Sequence, residues 1–256
     1  MATFETVSCE NWHELHLQID DYFTHYNDYI FRGQADSDWK LESSLTRAMR
    51  NSYPTATLPE MQTLAGHHLN AFKQNIRGRC TLDLNIASED TLWALGQHFG
   101  LFTPFLDWSR SPYVALFFSL FGQCNSSRRA LWAICEPDIE TLWPLKGSKT
   151  GLRTIQPLGH ENQRLVNQNG LFLDLPVGKC ADDLIKEAEE VEWVTMYKID
   201  FPDSIRGDAL SALNNMNINH ASLFPDLIGS SLLANFQLEI QPHLETGRTR
   251  GFIGER

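Results

Sequence analysis

The sequence predicts a mixed α/β or α+β domain with its helices concentrated in the first half. Three observations carry that expectation. Segments with helical spacing of apolar residues alternate with short apolar runs of strand length. Apolar residues make up 42 % of the 256 residues and aromatics 11 %, enough for a sizeable core. No linker, repeat or low-complexity stretch divides the chain. We therefore expect one domain over 1–245 and a loosely held tail over 246–256.

Residues 10–28 read as a helix, with Leu15, Ile19, Tyr22, Phe23 and Tyr26 at helical spacing. Tyr29 to Gln34 reads as a short strand ending at Gly33, followed by an Asp36-Ser37-Asp38 turn. Leu45 to Arg50 starts a helix, and Pro59 to Arg77 makes another, with proline in its first turn. Ser88 is placed to cap a helix running to Gly100. The stretch around Thr103-Pro104 reads as a loop. Ser111-Pro112 suits the N-cap and first position of a strongly apolar helix, Tyr113 to Phe121. Ala130 to Cys135 is an apolar run that reads as a strand buried on both faces. A short helix around Ile139–Leu142 and a helical turn at Glu161–Asn167 precede a strand from Gly170 to Leu175. Asp182–Glu190 reads as an acidic helix, Val191–Ile199 as a strand, and Asp203–Met216 and Leu227–Ile240 as helices.

The charge balance is acidic, 21 basic against 32 acidic residues. That disfavours extended nucleic acid and anionic membranes, since phosphate contacts need cations. The five cysteines show no zinc or redox spacing and read as reduced thiols. Residues 1–20 have no basic start and no long apolar run, which reads as no secretory signal. The longest apolar run, Tyr113 to Phe121, is short of a membrane span. Together these lead us to expect a cytoplasmic protein that does not enter a membrane.

Several residues could carry chemistry. Arg32, between an apolar strand and a glycine, offers a rigid fork of donors for phosphate or carboxylate. It could equally serve a structural ion pair, for example with Asp107. His98, late in its helix, could be an acid, a base or a structural hydrogen-bonding residue. Asp107 lies between large apolar residues and needs partners if buried. Ser109 and Ser111 could bind a phosphate at the start of a helix. Ser109 lacks the turn of a hydrolase nucleophile. Arg164, Gln168 and Asn169 could line a cleft or cap structure. The adjacent His67 and His68 point to different sides of a helix, which disfavours shared metal binding. No phosphate-binding glycine loop, dinucleotide fingerprint or metal motif is present.

Four blocks of residues resemble the FRG domain family. The first is Phe31-Arg32-Gly33-Gln34 with Trp39-Lys40-Leu41 and Ser43-Ser44-Leu45-Thr46-Arg47. The second runs from Gln97-His98-Phe99-Gly100-Leu101 through Leu106-Asp107-Trp108-Ser109 and Ser111-Pro112 to Ala115-Leu116-Phe117-Phe118. The third is Arg164 with Gln168, Gly170 and Phe172. The last is Ala221 to Leu227, followed by Gly229. The chain departs in small ways at Pro104, where many members have arginine and others proline, and at Ile228, where an acid often precedes the glycine.

The resemblance implies an ADP-ribosyltransferase-like mixed sheet core. It implies an NAD-dependent ADP-ribosyltransferase or NAD-cleaving enzyme, in the setting of a bacterial or phage toxin or defence effector. Its ligand would be NAD or a related nucleotide, and a protein could be the acceptor. Arg32, His98, Asp107 and Gln168 would then be the catalytic candidates. Arg32, Gln34, Gln97, Ser109, Ser111 and Arg164 would be the cofactor-binding ones. The glutamate that such enzymes carry late in the chain is absent beside Gln168, and Glu161 stands several residues too early. Gln168 or Asp107 would have to take its place. The other reading is a non-catalytic ligand-sensing or protein-interaction module on the same fold.

Overall fold

The computed structural model describes residues 3–25, 28–122, 124–141, 151–156, 163–187 and 195–250. Among the described residues seven strands form one mixed sheet, in the order β1-β7-β4-β2-β3-β6-β5. They are β1 (Thr3–Ser8), β2 (Tyr29–Gln34), β3 (Phe105–Ser109), β4 (Arg128–Cys135), β5 (Arg153–Ile155), β6 (Gly170–Asp174) and β7 (Thr195–Pro202). Of these strands β1 and β7 pair in parallel and the other neighbouring pairs are antiparallel.

Eleven helices surround the sheet among the described residues. The first half supplies α1 (Trp12–Phe23), α2 (Ser44–Ser52), α3 (Leu58–Asn75), α4 (Glu89–His98) and α5 (Pro112–Leu120). The second supplies α6 (Glu136–Thr141), α7 (Gln163–Asn167), α8 (Ala181–Glu187), α9 (Arg206–Asn215), α10 (His220–Leu223) and α11 (Leu227–Arg250). The domain is therefore α+β, but its helices are not concentrated in the first half, which also holds β1, β2 and β3. Leu142, Glu161, Glu190 and Trp193, which the sequence pattern includes in elements, lie outside the described residues. The last helix runs through Thr246 to Arg250.

Side chains alternate across strands, and each face of the sheet has its own cover. Phe31, Leu131, Ala133, Ile199 and Phe201 turn to a core built with α1, α5, α9 and α11. On that same face, Phe105, Phe172 and Ile155 meet α2, α3 and α4. The register Phe31↔Ser109 and Asp107↔Phe172 places the two cores side by side on one face. Ile30, Leu106, Trp108, Trp132 and Ile134 face the other way, towards Ile139, Leu184 and Ile185 of α6 and α8.

The strands β2 and β3 pair only at Phe31↔Ser109 and part on either side of it. Beside that seam α5 lies directly on β2, because a Cβ on Gly33 would sit 2.0 Å from the Ala115 carbonyl oxygen and 2.5 Å from the Ser119 nitrogen. No side chain larger than hydrogen fits without moving the helix. The helix itself is set by Ser111, whose hydroxyl accepts from the Val114 N–H at 3.3 Å, with Pro112 at its first position. Meanwhile α4 is pinned to the opposite edge of the sheet by Arg153, which bonds Asp90 at 2.6 Å and Asp174 at 2.8 Å. Burial lifts the Asp174 carboxyl to about 6, despite Arg153 beside it.

Candidate functional site

A cavity of about 370 Å³ lies on the sheet between the two helical cores. That is within the range of ~300–1,000 Å³ usual for small-ligand sites. Its floor includes Gly33, Asp107, Ser109 and Phe172; its walls come from Gln97 and His98 of α4, Phe118 of α5, Arg164 and Gln168 around α7, and Phe224. All four catalytic candidates from the sequence line it: Arg32, His98, Asp107 and Gln168. So do four of the binding candidates, Arg32, Gln97, Ser109 and Arg164.

Asp107 occupies the centre of β3, the one exposed position in an otherwise buried strand. Strand alternation puts its carboxylate on the face with Phe105 and Ser109. The side-chain amide of Gln97 donates to both carboxylate oxygens, at 3.1 and 3.0 Å. The Thr103 hydroxyl donates to the other end of that amide, so the NH2 group must face Asp107. The carboxylate is thus held by a neutral donor, and among the described residues it forms no ion pair.

Arg32 starts on the opposite face of β2, with Ile30 and Gln34. Its head reaches the seam where the ladder between β2 and β3 stops, and Nη1 donates to the Asp107 carbonyl oxygen at 2.7 Å. The side chain keeps some solvent exposure, yet its Nε is enclosed without a partner. Burial lowers its pKa, opposed by the charge of Asp107 and reinforced by Arg47. The ion pair with Asp107 considered from the sequence is therefore replaced by a bond to that residue's backbone. Arg47, an exposed cation on α2, is a neighbour to which the sequence pattern alone assigns no role.

His98 is half-buried at the end of α4, with its ring edge-on to Phe99 at 4.8 Å. Burial lowers its pKa, Arg164 lowers it further, and Asp226 opposes both. The neutral imidazole is the favoured form at neutral pH.

The far wall is tied together. Arg164 forms an ion pair with Asp226 and lies 5.5 Å above the Phe224 ring. Asn167 donates to the Ser222 carbonyl at 2.8 Å, and the Gln168 amide donates to the Leu223 carbonyl at 3.2 Å. Asp226 in turn accepts from the Gly229 N–H at 2.9 Å at the start of α11. These bonds hold its carboxyl below the ordinary range, that of Arg164 most. Gly229 is required there: a Cβ would meet the Phe224 carbonyl oxygen at 1.9 Å. On the sheet side the Ser109 hydroxyl donates to the Gln168 carbonyl at 2.7 Å and accepts from the Ser111 N–H at 3.0 Å.

Two binding candidates do not reach the cavity lining. Gln34 is buried, accepting from the Trp132 indole at 2.7 Å and donating to the Lys40 carbonyl at 3.2 Å. Alternation turns it into the opposite core. Ser111 spends its hydroxyl on capping α5. The aromatic walls Phe118, Phe172 and Phe224 have no role in the sequence beyond their place in the resemblance; an apolar residue type carries no signal that separates a cavity wall from core. Among the described residues no cluster of His, Cys, Asp and Glu could hold a metal ion, the five cysteines are free thiols, and no helix is long and apolar enough to cross a membrane.

Comparison with curated proteins and with solved structures gave no match. One family model does match, over residues 27–128, the span that contributes β2, the Gln97–Asp107 pair and α5 to the cavity. That match, to the FRG domain, supports over this span the family resemblance read from Phe31-Arg32-Gly33.

Proposed function

We propose that the cavity is an active site that cleaves NAD at the bond between nicotinamide and ribose, as an ADP-ribosyltransferase or a related NAD-cleaving enzyme. The observation that carries this reading is the Asp107 carboxylate, open to the cavity, oriented by Gln97 and without an ion pair among the described residues. Cleavage sends the electron pair of the broken bond away with nicotinamide and leaves positive charge on the ribose. A fixed carboxylate in a partly enclosed site stabilises that charge without reorganising. His98, favoured as neutral imidazole by its burial, can accept the proton of the attacking water or acceptor group. Phe118, Phe172 and Phe224 provide aromatic surface suited to a flat nicotinamide ring.

Asp107 suits the charge-stabilising part better than Gln168, whose amide is committed to the Leu223 carbonyl. The same commitment of Arg164, Gln168 and Arg32 to protein partners favours a second reading, a ligand-sensing module that holds a nucleotide without turnover. Incubating the purified protein with NAD separates them. Nicotinamide release, with or without label on an acceptor, is the result expected of the enzyme. Binding of NAD with no release across several acceptors contradicts catalysis and leaves the sensing module.

A further inference from the structure

A second cavity, of about 170 Å³, lies on the far side of α10 from the first. Phe117, Leu120, Phe121, Leu210 and Phe236 give it an apolar lining, and the Arg206–Glu239 ion pair stands at it. One polar ring is enclosed among them. His220 is only 8 % exposed, and three phenylalanine rings surround it with centroids 5.0 Å (Phe117), 5.3 Å (Phe121) and 5.2 Å (Phe236) away. Its Nδ1 is buried without a partner. Burial disfavours the imidazolium, the more so beside Arg206, with Glu239 opposing. A neutral imidazole has one donor and one acceptor nitrogen, and the buried Nδ1 is left unused. Buried polar groups in folded proteins are otherwise almost always paired.

We propose that this cavity binds a small aromatic molecule of one ring that carries a single hydrogen-bonding group, with His220 as the polar contact. The size is that of a benzene-binding cavity, the walls are ring faces and edges, and the unpaired imidazole selects for one polar substituent. The occupant would also act on the first cavity. The turn that begins at His220 ends at Phe224, whose N–H donates to the His220 carbonyl at 2.9 Å. Phe224 is a wall of the first cavity, and Phe121 touches both rings, 5.3 Å from His220 and 6.2 Å from Phe224. A shift of His220 therefore moves a wall of the first site, and by linkage a ligand there alters affinity here.

Phenol is a suitable probe, with toluene as its partner lacking the hydroxyl. Titration of the full chain, followed by ligand affinity and by the 15N resonances of the His220 ring and the Gln168 amide, tests the idea. Phenol should bind about tenfold more tightly than toluene, the worth of one hydrogen bond. It should shift both resonances, His220→Phe should abolish the preference while keeping binding of toluene, and Leu232→Trp, at a leucine that also lines this cavity, should block both ligands. No binding of phenol at millimolar concentration, or the same preference in His220→Phe, overturns the site. A His220 shift with Gln168 unmoved overturns the coupling.

Discussion

The two sides of the main cavity use similar residues to different ends. On the α4–β3 side, Gln97 and Asp107 bond each other and leave the carboxylate facing open space. On the α7–α10 side, Arg164, Asn167 and Gln168 are drawn into bonds with Asp226, Ser222 and Leu223. A polar residue that lines a cavity is thus not by that fact part of its chemistry. What distinguishes the sides is whether the hydrogen-bonding capacity is already spent. The first side offers a charged group to a ligand; the second fastens the 222–226 turn into the cavity wall.

The largest effect that would sharpen this contrast is on stability. Removing both Arg164 and Gln168 side chains by alanine substitution should lower stability measurably, through loss of a solvent-exposed ion pair, a cation–ring contact and one hydrogen bond. Urea denaturation reads it. An unchanged denaturation midpoint would mean the far wall is not a latch, and the contrast would break.

A smaller effect should appear on the other side as a function of pH. The folded-state pKa of His98 lies below its ordinary value. As pH falls, the unfolded chain therefore takes up the proton first, and stability is lost below about 6.5. Relative to His98→Gln, the wild type should lose stability on going from about pH 7.5 to about pH 5.5. The comparison matters, because Asp174, raised to about 6, acts with the opposite sign. Its protonated form is favoured in the fold, so its contribution falls as pH rises from about 4 to about 6 in both proteins and cancels in the difference. Equal pH dependence in the two would place His98 in water rather than against the wall.

Much of the fold is legible in the sequence where a local signal exists. The strand Tyr29–Gln34 stands where the apolar run and its glycine place it. The Ser111-Pro112 cap and the Ser88 cap open their helices as expected. The strand β3 carries no such signal, because Phe105-Leu106-Asp107-Trp108-Ser109 breaks alternation with apolar residues on both faces. Its exposed aspartate is a site residue, and sites are where local pattern and fold part company. The edge strand β1 is equally hard to see, because Thr3–Ser8 is short and polar, and its parallel partner Thr195–Pro202 lies far along the chain. The sequence pairs Arg32 with Asp107 correctly in space but not in chemistry: a strand seam, which no spacing reveals, gives the guanidinium a backbone carbonyl instead of a carboxylate. The latch of Arg164 onto Asp226 and the enclosed ring of His220 depend equally on tertiary packing.

The contrast between the two sides is tested most directly by comparing nicotinamide release from NAD in Asp107→Asn and Gln168→Ala, each corrected for its folded fraction. We expect Asp107→Asn to lose at least about 10²-fold in rate with its melting temperature nearly kept, the size typical of removing one charge-stabilising group. Gln168→Ala should melt earlier yet stay within a few-fold of the wild-type rate. The reverse outcome, a fast Asp107→Asn and a stable but inactive Gln168→Ala, would contradict the assignment of chemistry to one wall and fastening to the other.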